Sequence, residues 1–160
     1  MARLSGELDT GAALIDRALG LNPNLAEGWR SIGWVKVWLG QADDAIDSFA
    51  KAMRLSPVDP RMFDMQAGMA SGHFIAGRYE EACSWSDKAV ASQSKYGPAL
   101  RVCTASQALA GQKERAQKLV ALLRAADPGL RLSNLQERAP WNPIGFARLA
   151  EGLRKAGLPK

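Results

Sequence analysis

The sequence predicts an all-α fold: a right-handed superhelical array of antiparallel helix pairs, closed by a C-terminal capping helix. Three observations predict it. Glycines recur at Gly6, Gly40, Gly77 and Gly111, with spacings of 34, 37 and 34 residues. Alanines keep step at Ala45, Ala82 and Ala116, and prolines close helical runs at Pro23, Pro57 and Pro128. Between these marks the apolar residues follow a helical period, and no alternating β-branched run lasts more than a few positions. A fixed period of this length means one supersecondary unit used repeatedly. Turns of a few residues between helices of about 12–16 residues force neighbours to run antiparallel.

Residues 1–25 predict one helix, Asp9–Leu19, with Leu14, Ile15, Ala18 and Leu19 on its apolar face. Only five residues precede Gly6, too few for a pairing helix. Natural arrays cap their ends with polar faces. The sequence therefore predicts that Met1 is a cut site, that the chain is the C-terminal piece of a longer protein, and that Leu14 or Ile15 lies exposed at an edge unless residues Met1–Ser5 cover it. Exposed apolar patches drive association, so a homodimer through that edge is expected.

Residues 26–59 form the clearest repeat. Trp29, Ile32, Val35 and Leu39 stripe its first helix; Ala45, Ile46, Phe49, Ala52 and Met53 stripe its second. Gly33 and Ala45 are small where two helices must cross closely. Residues 60–96 keep Ala70, Gly77, Ala82 and Ala89 but lack the Trp and the closing Pro. Three extra residues enter at Asp59-Pro60, read as an N-cap followed by Pro at the first helical position. Residues 97–130 carry Leu100, Cys103, Thr104, Gly111, Ala116, Val120 and Pro128 in register.

After Pro128 the period breaks. Residues 131–160 predict a cap: a short helix over Leu130–Arg138, then a last helix starting at Asn142-Pro143, with Phe146, Leu149 and Leu153 on one face, stopped by Gly157 and Pro159. The repeat, W-x2-L-G-x2-Y, then A-x3-F, then P, is met by Trp29, Ile32, Gly33, Ala45, Phe49 and Pro57, with Lys36 in place of the Tyr. On these residues the chain resembles the tetratricopeptide repeat family.

Composition excludes other classes. Hydrophobic residues make up 47% and charged residues 23% of 160 residues, so the chain is neither disordered nor a disulfide-dense mini-protein. No apolar stretch approaches the ~20 residues that span a bilayer. No secretory h-region is visible in MARLSGELD, which predicts a cytoplasmic protein. The net charge of +5 comes from the second part: Lys95 to Lys160 holds 12 Lys and Arg against 4 Asp and Glu. These cations are spread along helices rather than clustered, which disfavours nucleic acid as a partner.

The search for chemistry returns little. There is no phosphate-cradling G-x-x-x-x-G-K-[ST] and no strand-borne G-x-G-x-x-G. No catalytic residue, metal site or cofactor is expected. Asp43-Asp44 and Glu80-Glu81 sit at helix starts, where carboxylates favour the dipole. His73 is the only histidine; it is expected to pack or lie half exposed, with a ligand role the alternative. Cys83 and Cys103 fall on predicted core faces, 20 residues apart. Buried free thiols are expected there, with a disulfide or redox pair the alternative. Met62, Met65 and Met69 share a face and read as gap-filling core, with an adaptable binding surface the alternative.

The strings DTGAALIDRALGLNPNLAEGW, GWVKVWLG, AIDSFAKAMRLSPVDP and FARLAEGLRKAGLPK resemble the C-terminal repeat region of bacterial class III adenylate/guanylate cyclases. Similar tails follow winged-helix DNA-binding domains. The resemblance implies a non-catalytic module that binds a protein or peptide, or other domains of its parent chain. It further implies a groove lined by the first helix of each repeat. Trp34 stands where the Lys/Asn carboxylate clamp of some members needs Asn, so that clamp is expected to be missing. The expected contacts are Trp34, Trp38 and Phe74 as aromatic anchors, with Arg30 and Arg101 as polar handles. The competing reading packs Trp34 and Trp38 onto the N-terminal helix.

Overall fold

The computed structural model describes residues 2–160, with side chains from residue 6 onward. The described residues form nine α-helices and one 3₁₀ turn, with no strand. They are α1 (Ala2–Leu21), α2 (Ala26–Leu39), α3 (Ala42–Leu55), α4 (Met62–Ile75), α5 (Tyr79–Ser92), α6 (Gly97–Leu109), α7 (Lys113–Ala126), α8 (Leu135–Arg138) and α9 (Pro143–Ala156), with the 3₁₀ turn at Leu132–Asn134 before α8. Helices α2/α3, α4/α5 and α6/α7 pair as hairpins, and each hairpin packs on the next.

The hairpin turns repeat one chemistry. Gly40, Gly77 and Gly111 each adopt φ +79°, the left-handed region that only glycine enters freely. The next N–H then returns to the helix, Gln41 to the Lys36 carbonyl at 2.8 Å, Arg78 to His73 at 2.9 Å and Gln112 to Gln107 at 2.9 Å. That closure satisfies carbonyls the helix end would leave bare. Gly6 departs from the series. It lies inside α1, which runs unbroken as a 20-residue helix and not from Asp9. Nothing lies within 4 Å of a Cβ built on Gly6, so no close packing forces a turn there.

The core sits between the hairpins. Ile32, Ala45, Phe49, Ala82 and Ala116 are buried as their periodicity requires. The Phe49 ring lies against Gly33, where a Cβ would come within 2.9 Å of ring carbons, and closer still against Gly68. Met65 and Met69 are buried in this core, as gap-filling side chains. Trp29, expected inside, is only half-buried. Its indole N–H donates to the Pro23 carbonyl at 2.8 Å, and Lys51 caps its ring. A polar N–H and a wet partner keep it at the rim. On α1, Leu14 is 64% exposed, while Ile15 packs with Leu19, Ile32 and Val35.

Three further expectations are corrected. Cys83 and Cys103 are not free thiols: they are joined as a disulfide between α5 and α6. The antiparallel pairing of these helices sets their Cα atoms 4.6 Å apart, inside the range a disulfide accepts. Helix α4 starts at Met62 rather than Pro60. Asp59 instead organises the turn, its carboxylate accepting from the Arg61 N–H at 2.8 Å. The segment over Leu130–Arg138 splits into the 3₁₀ turn and the one-turn α8. Asn142 and Pro143 do start α9, with the Asn142 side chain accepting from the Gly145 N–H at 2.9 Å.

The chain then doubles back. Helix α9 packs mainly on α6, with Gly152 tight against the Ala105 backbone. Residues 139–142 run on to the first hairpin, where the Asn142 N–H donates to the Trp38 carbonyl at 2.8 Å. Arg148 reaches the Ile75 carbonyl at 2.8 Å. We call residues 139–142 the strap. No helix among the described residues is long and apolar enough to cross a membrane.

Candidate functional site: a strapped groove

Helical spacing builds one wall of the site. Arg30, Trp34 and Trp38 lie four residues apart on α2, so their side chains share one face. They line a cavity of ≈ 260 Å³ together with Asp64 and Ser71 of α4, and Pro98, Arg101 and Val102 of α6. The strap and its neighbours complete it through Arg138, Ala139, Pro140, Trp141 and Leu149.

Asp64 ties α2 and α4 to Tyr96, the residue just before α6. One of its oxygens accepts from Arg30 Nη1 at 2.7 Å and from Trp34 Nε1 at 3.0 Å. The other accepts from the Tyr96 hydroxyl at 2.6 Å. The remaining Arg30 donors point to Glu27. Hydrogen bonding to Glu27, followed by Asp64, keeps Arg30 charged well beyond any accessible pH. Burial, then the bond to Asp64, raises the Tyr96 phenol above its ordinary range. Tyr96 therefore stays a neutral donor at physiological pH.

The aromatic wall is layered. Trp34 and Trp38 stack with centroids 6.4 Å apart, and Trp34 meets the Phe49 ring edge-on at 5.4 Å. Both indoles are half-buried, with their open sides on the cavity. Trp38 also packs against the cluster formed by Leu19 of α1 with Ile32 and Val35 of α2. Trp38 therefore lines the cavity and belongs to this cluster as well. Trp34 packs on Phe49 and hydrogen-bonds Asp64 rather than resting on α1.

The structure brings together Arg30, Trp34, Trp38 and Arg101 of the residues expected in the groove. Phe74 is placed elsewhere. Its ring is fully buried, 5.7 Å from Trp141 and 5.6 Å from Tyr79. It supports Trp141 from below and does not line the cavity. Sequence reasoning missed Asp64, Tyr96, Arg138 and Trp141. Asp64 had a signal: it is the only carboxylate in α4. Trp141 had none, because it lies in a segment without period.

Arg101 is the other notable group. Its residue is only 9% exposed, and one guanidinium N–H donates to the Arg138 carbonyl at 3.0 Å. Burial pulls its pKa down to about 10, against the opposing pull of Asp127, so it remains a cation at neutral pH. Among the described residues no group of three His, Cys, Asp or Glu is placed to hold a metal. His73 lies outside the groove, accepting from Arg78 Nε at 3.0 Å; burial lowers its pKa.

The fold is shared with solved structures. The chain superimposes on MamA with a TM-score of 0.68 at 19% identity, over 96% of this chain and 89% of that one. It superimposes on YrrB with a TM-score of 0.62 at 22% identity, over 94% of this chain and 77% of that one. YrrB is described as a TPR protein with an unusual peptide-binding site. The fold is a tetratricopeptide-repeat solenoid. At these identities the likeness establishes the fold alone. No protein-family model matches the sequence, and no curated protein does.

Proposed function

We propose that this chain is a non-catalytic recognition module that binds a protein or peptide segment on the strapped face. One observation carries the proposal. Three successive first helices converge on a cavity walled by Trp34, Trp38 and Trp141 and edged by Arg30 and Arg101. Aromatic and Arg side chains in a concave, partly desolvated site are the groups that dominate recognition energetics. The peptide-binding site of YrrB, on the same fold, supports the same reading.

The test is selection from a random peptide library, followed by NMR mapping of the selected sequences. Peptides that shift the indole signals of Trp34 and Trp38 support the reading. Peptides that instead map to the outer helices α3, α5 and α7 would refute it.

Two finer proposals follow from sequence alone. The attached partner is a class III nucleotide cyclase, with this module as its regulatory tail; the alternative parent is a winged-helix regulator, with the module as sensor or oligomerisation segment. Reading the gene upstream of the Met1 codon distinguishes them, and an unrelated upstream domain would discard both. We also propose self-association through α1, where Leu14 is 64% exposed. A strict monomer across a wide concentration range in light scattering would rule it out.

A further inference from the structure

We propose that the cavity between α2, α4, α6 and the strap is a site for an organic carboxylate carried on an aromatic body, with Arg101 as the group that holds it. The proposal rests on the strapped face being the ligand-binding face. It goes further in naming the ligand's chemistry and the residue that selects it.

The charges around the cavity are unequal. Three arginines line it against one carboxylate, Asp64. Asp64 is occupied, since both its oxygens already accept hydrogen bonds. Arg30 is matched by Glu27 and Asp64, and Arg138 by Asp127 at 2.8 Å. Arg101 makes no ion pair with any described residue. Of its five N–H donors, one reaches a carbonyl. The Arg101 side chain lines the cavity, and its Nη1 sits close beside Gly97, where a built Cβ would lie 3.0 Å away.

A nearly buried guanidinium is costly, and the one carboxylate near enough to pull on Arg101, Asp127, is already paired with Arg138. A carboxylate supplies the missing charge and fits the planar fork with two parallel hydrogen bonds. A flat apolar body suits the rest of the ligand, because the lining includes the indoles of Trp34, Trp38 and Trp141. Size sets the remaining limit. A volume of ≈ 260 Å³ lies just below the ~300–1,000 Å³ of drug-sized pockets. It holds one ring-bearing acid or one terminal residue, not an extended peptide. A free aromatic acid and the C-terminal residue of a chain share this chemistry.

The experiment uses the full chain and two matched pairs. The first is 3-phenylpropionate and its amide; the second is N-acetyl-Ala-Ala-Phe with a free or an amidated C-terminus. Binding is read from indole signals in two-dimensional NMR and from tryptophan fluorescence. The acid is expected to bind about tenfold or more tightly than its amide, the share of one charge-assisted contact. Arg101→Gln is expected to erase that preference, and Arg101→Lys to keep part of it. Binding of the peptide acid alone identifies a chain terminus as the source and upholds the proposal; binding of both acids upholds it with a free acid as sufficient. Equal binding of acid and amide at these indoles overturns the proposal and leaves the strapped face as the binding face. Shifts confined to Trp29 and Trp85 overturn both. No binding by either acid overturns the carboxylate proposal. Should Arg101→Gln fail to fold, the comparison of acid with amide on the unaltered chain decides alone.

Discussion

Adding one methyl group at two glycines should have opposite effects. Gly11 and Gly152 both lie inside helices, α1 and α9. Around Gly11 nothing lies within 4 Å of a built Cβ. Gly11→Ala should therefore raise stability by about 0.5–1 kcal/mol, since Gly is the poorer helix former by that amount. At Gly152 the same Cβ would sit 2.8 Å from both the Cα and the carbonyl oxygen of Ala105. Ordinary contact begins near 3.4 Å. The partner is backbone and cannot rotate away, so α9 itself must lift from α6. Overpacking of this kind costs about 1–3 kcal/mol, which opposes the same helix-forming gain. With backbone on the far side, a difference between the two variants of about 2–3 kcal/mol is expected. For a chain of this size that is roughly 4–12 °C in Tm. Urea and thermal unfolding followed by circular dichroism measure it. Amide exchange should also accelerate along α9 in Gly152→Ala. If Gly152→Ala matches Gly11→Ala in Tm and α9 stays protected, the close crossing of α9 on α6 does not exist.

Three other outcomes are expected. Unreduced protein should have a mass two hydrogens below the thiol form, and Cys83→Ala with Cys103→Ala should cost about 3 kcal/mol, the loop-entropy value for a 20-residue separation; an unchanged mass on reduction would refute the bond. Tyr96→Phe should cost about 1–2 kcal/mol at neutral pH through loss of the hydrogen bond to Asp64. Because the folded-state pKa of Tyr96 is raised above the ordinary 10.0, the folded chain holds the phenolic proton more tightly than the unfolded one. Its contribution is complete below about pH 10 and lost as pH climbs further, so Tyr96→Phe should flatten the alkaline decline; an identical decline in both proteins would count against the assignment. Acrylamide should quench the half-buried Trp34 and Trp38 more readily than Trp141, which is 6% exposed. Single Trp→Phe variants resolve the three, and equal protection of all would argue that the cavity is closed to solutes.

The fold was legible because its signals are local. A left-handed glycine and a helical apolar stripe each act within a few residues, so Gly40, Gly77 and Gly111 marked real turns. Gly6 misled for the same reason, since a glycine permits a turn without demanding one. On the α2 and α6 sides, Arg30, Trp34, Trp38 and Arg101 were singled out through the resemblance, which implies a groove along the first helices, and the four-residue spacing sets the three α2 residues on one face. Phe74 was not, because an aromatic residue at a helix end reads alike whether it faces a groove or lies beneath another ring. The strap was invisible. Residues 139–142 have no period, and their position is set by contacts with α2 far back in the chain. The disulfide needed the same kind of distant information. The sequence places Cys83 and Cys103 on core faces, but only helix pairing places them side by side.

The strap also changes how the array comes apart. A solenoid is ordinarily one-dimensional: each unit touches its neighbours, and ends fray independently. Here the bond from Asn142 to Trp38 and the reach of Arg148 to Ile75 fasten the last segment to the first two hairpins. The chain becomes a buckled belt, in which the end cannot open without releasing the beginning. Contacts at such sequence separation raise the contact order, which slows folding relative to an open array of the same length. They also favour a single all-or-none transition over stepwise unzipping. A ligand that seats against Trp141 would press on the buckle itself, and its affinity would be felt as resistance to unfolding along the whole belt.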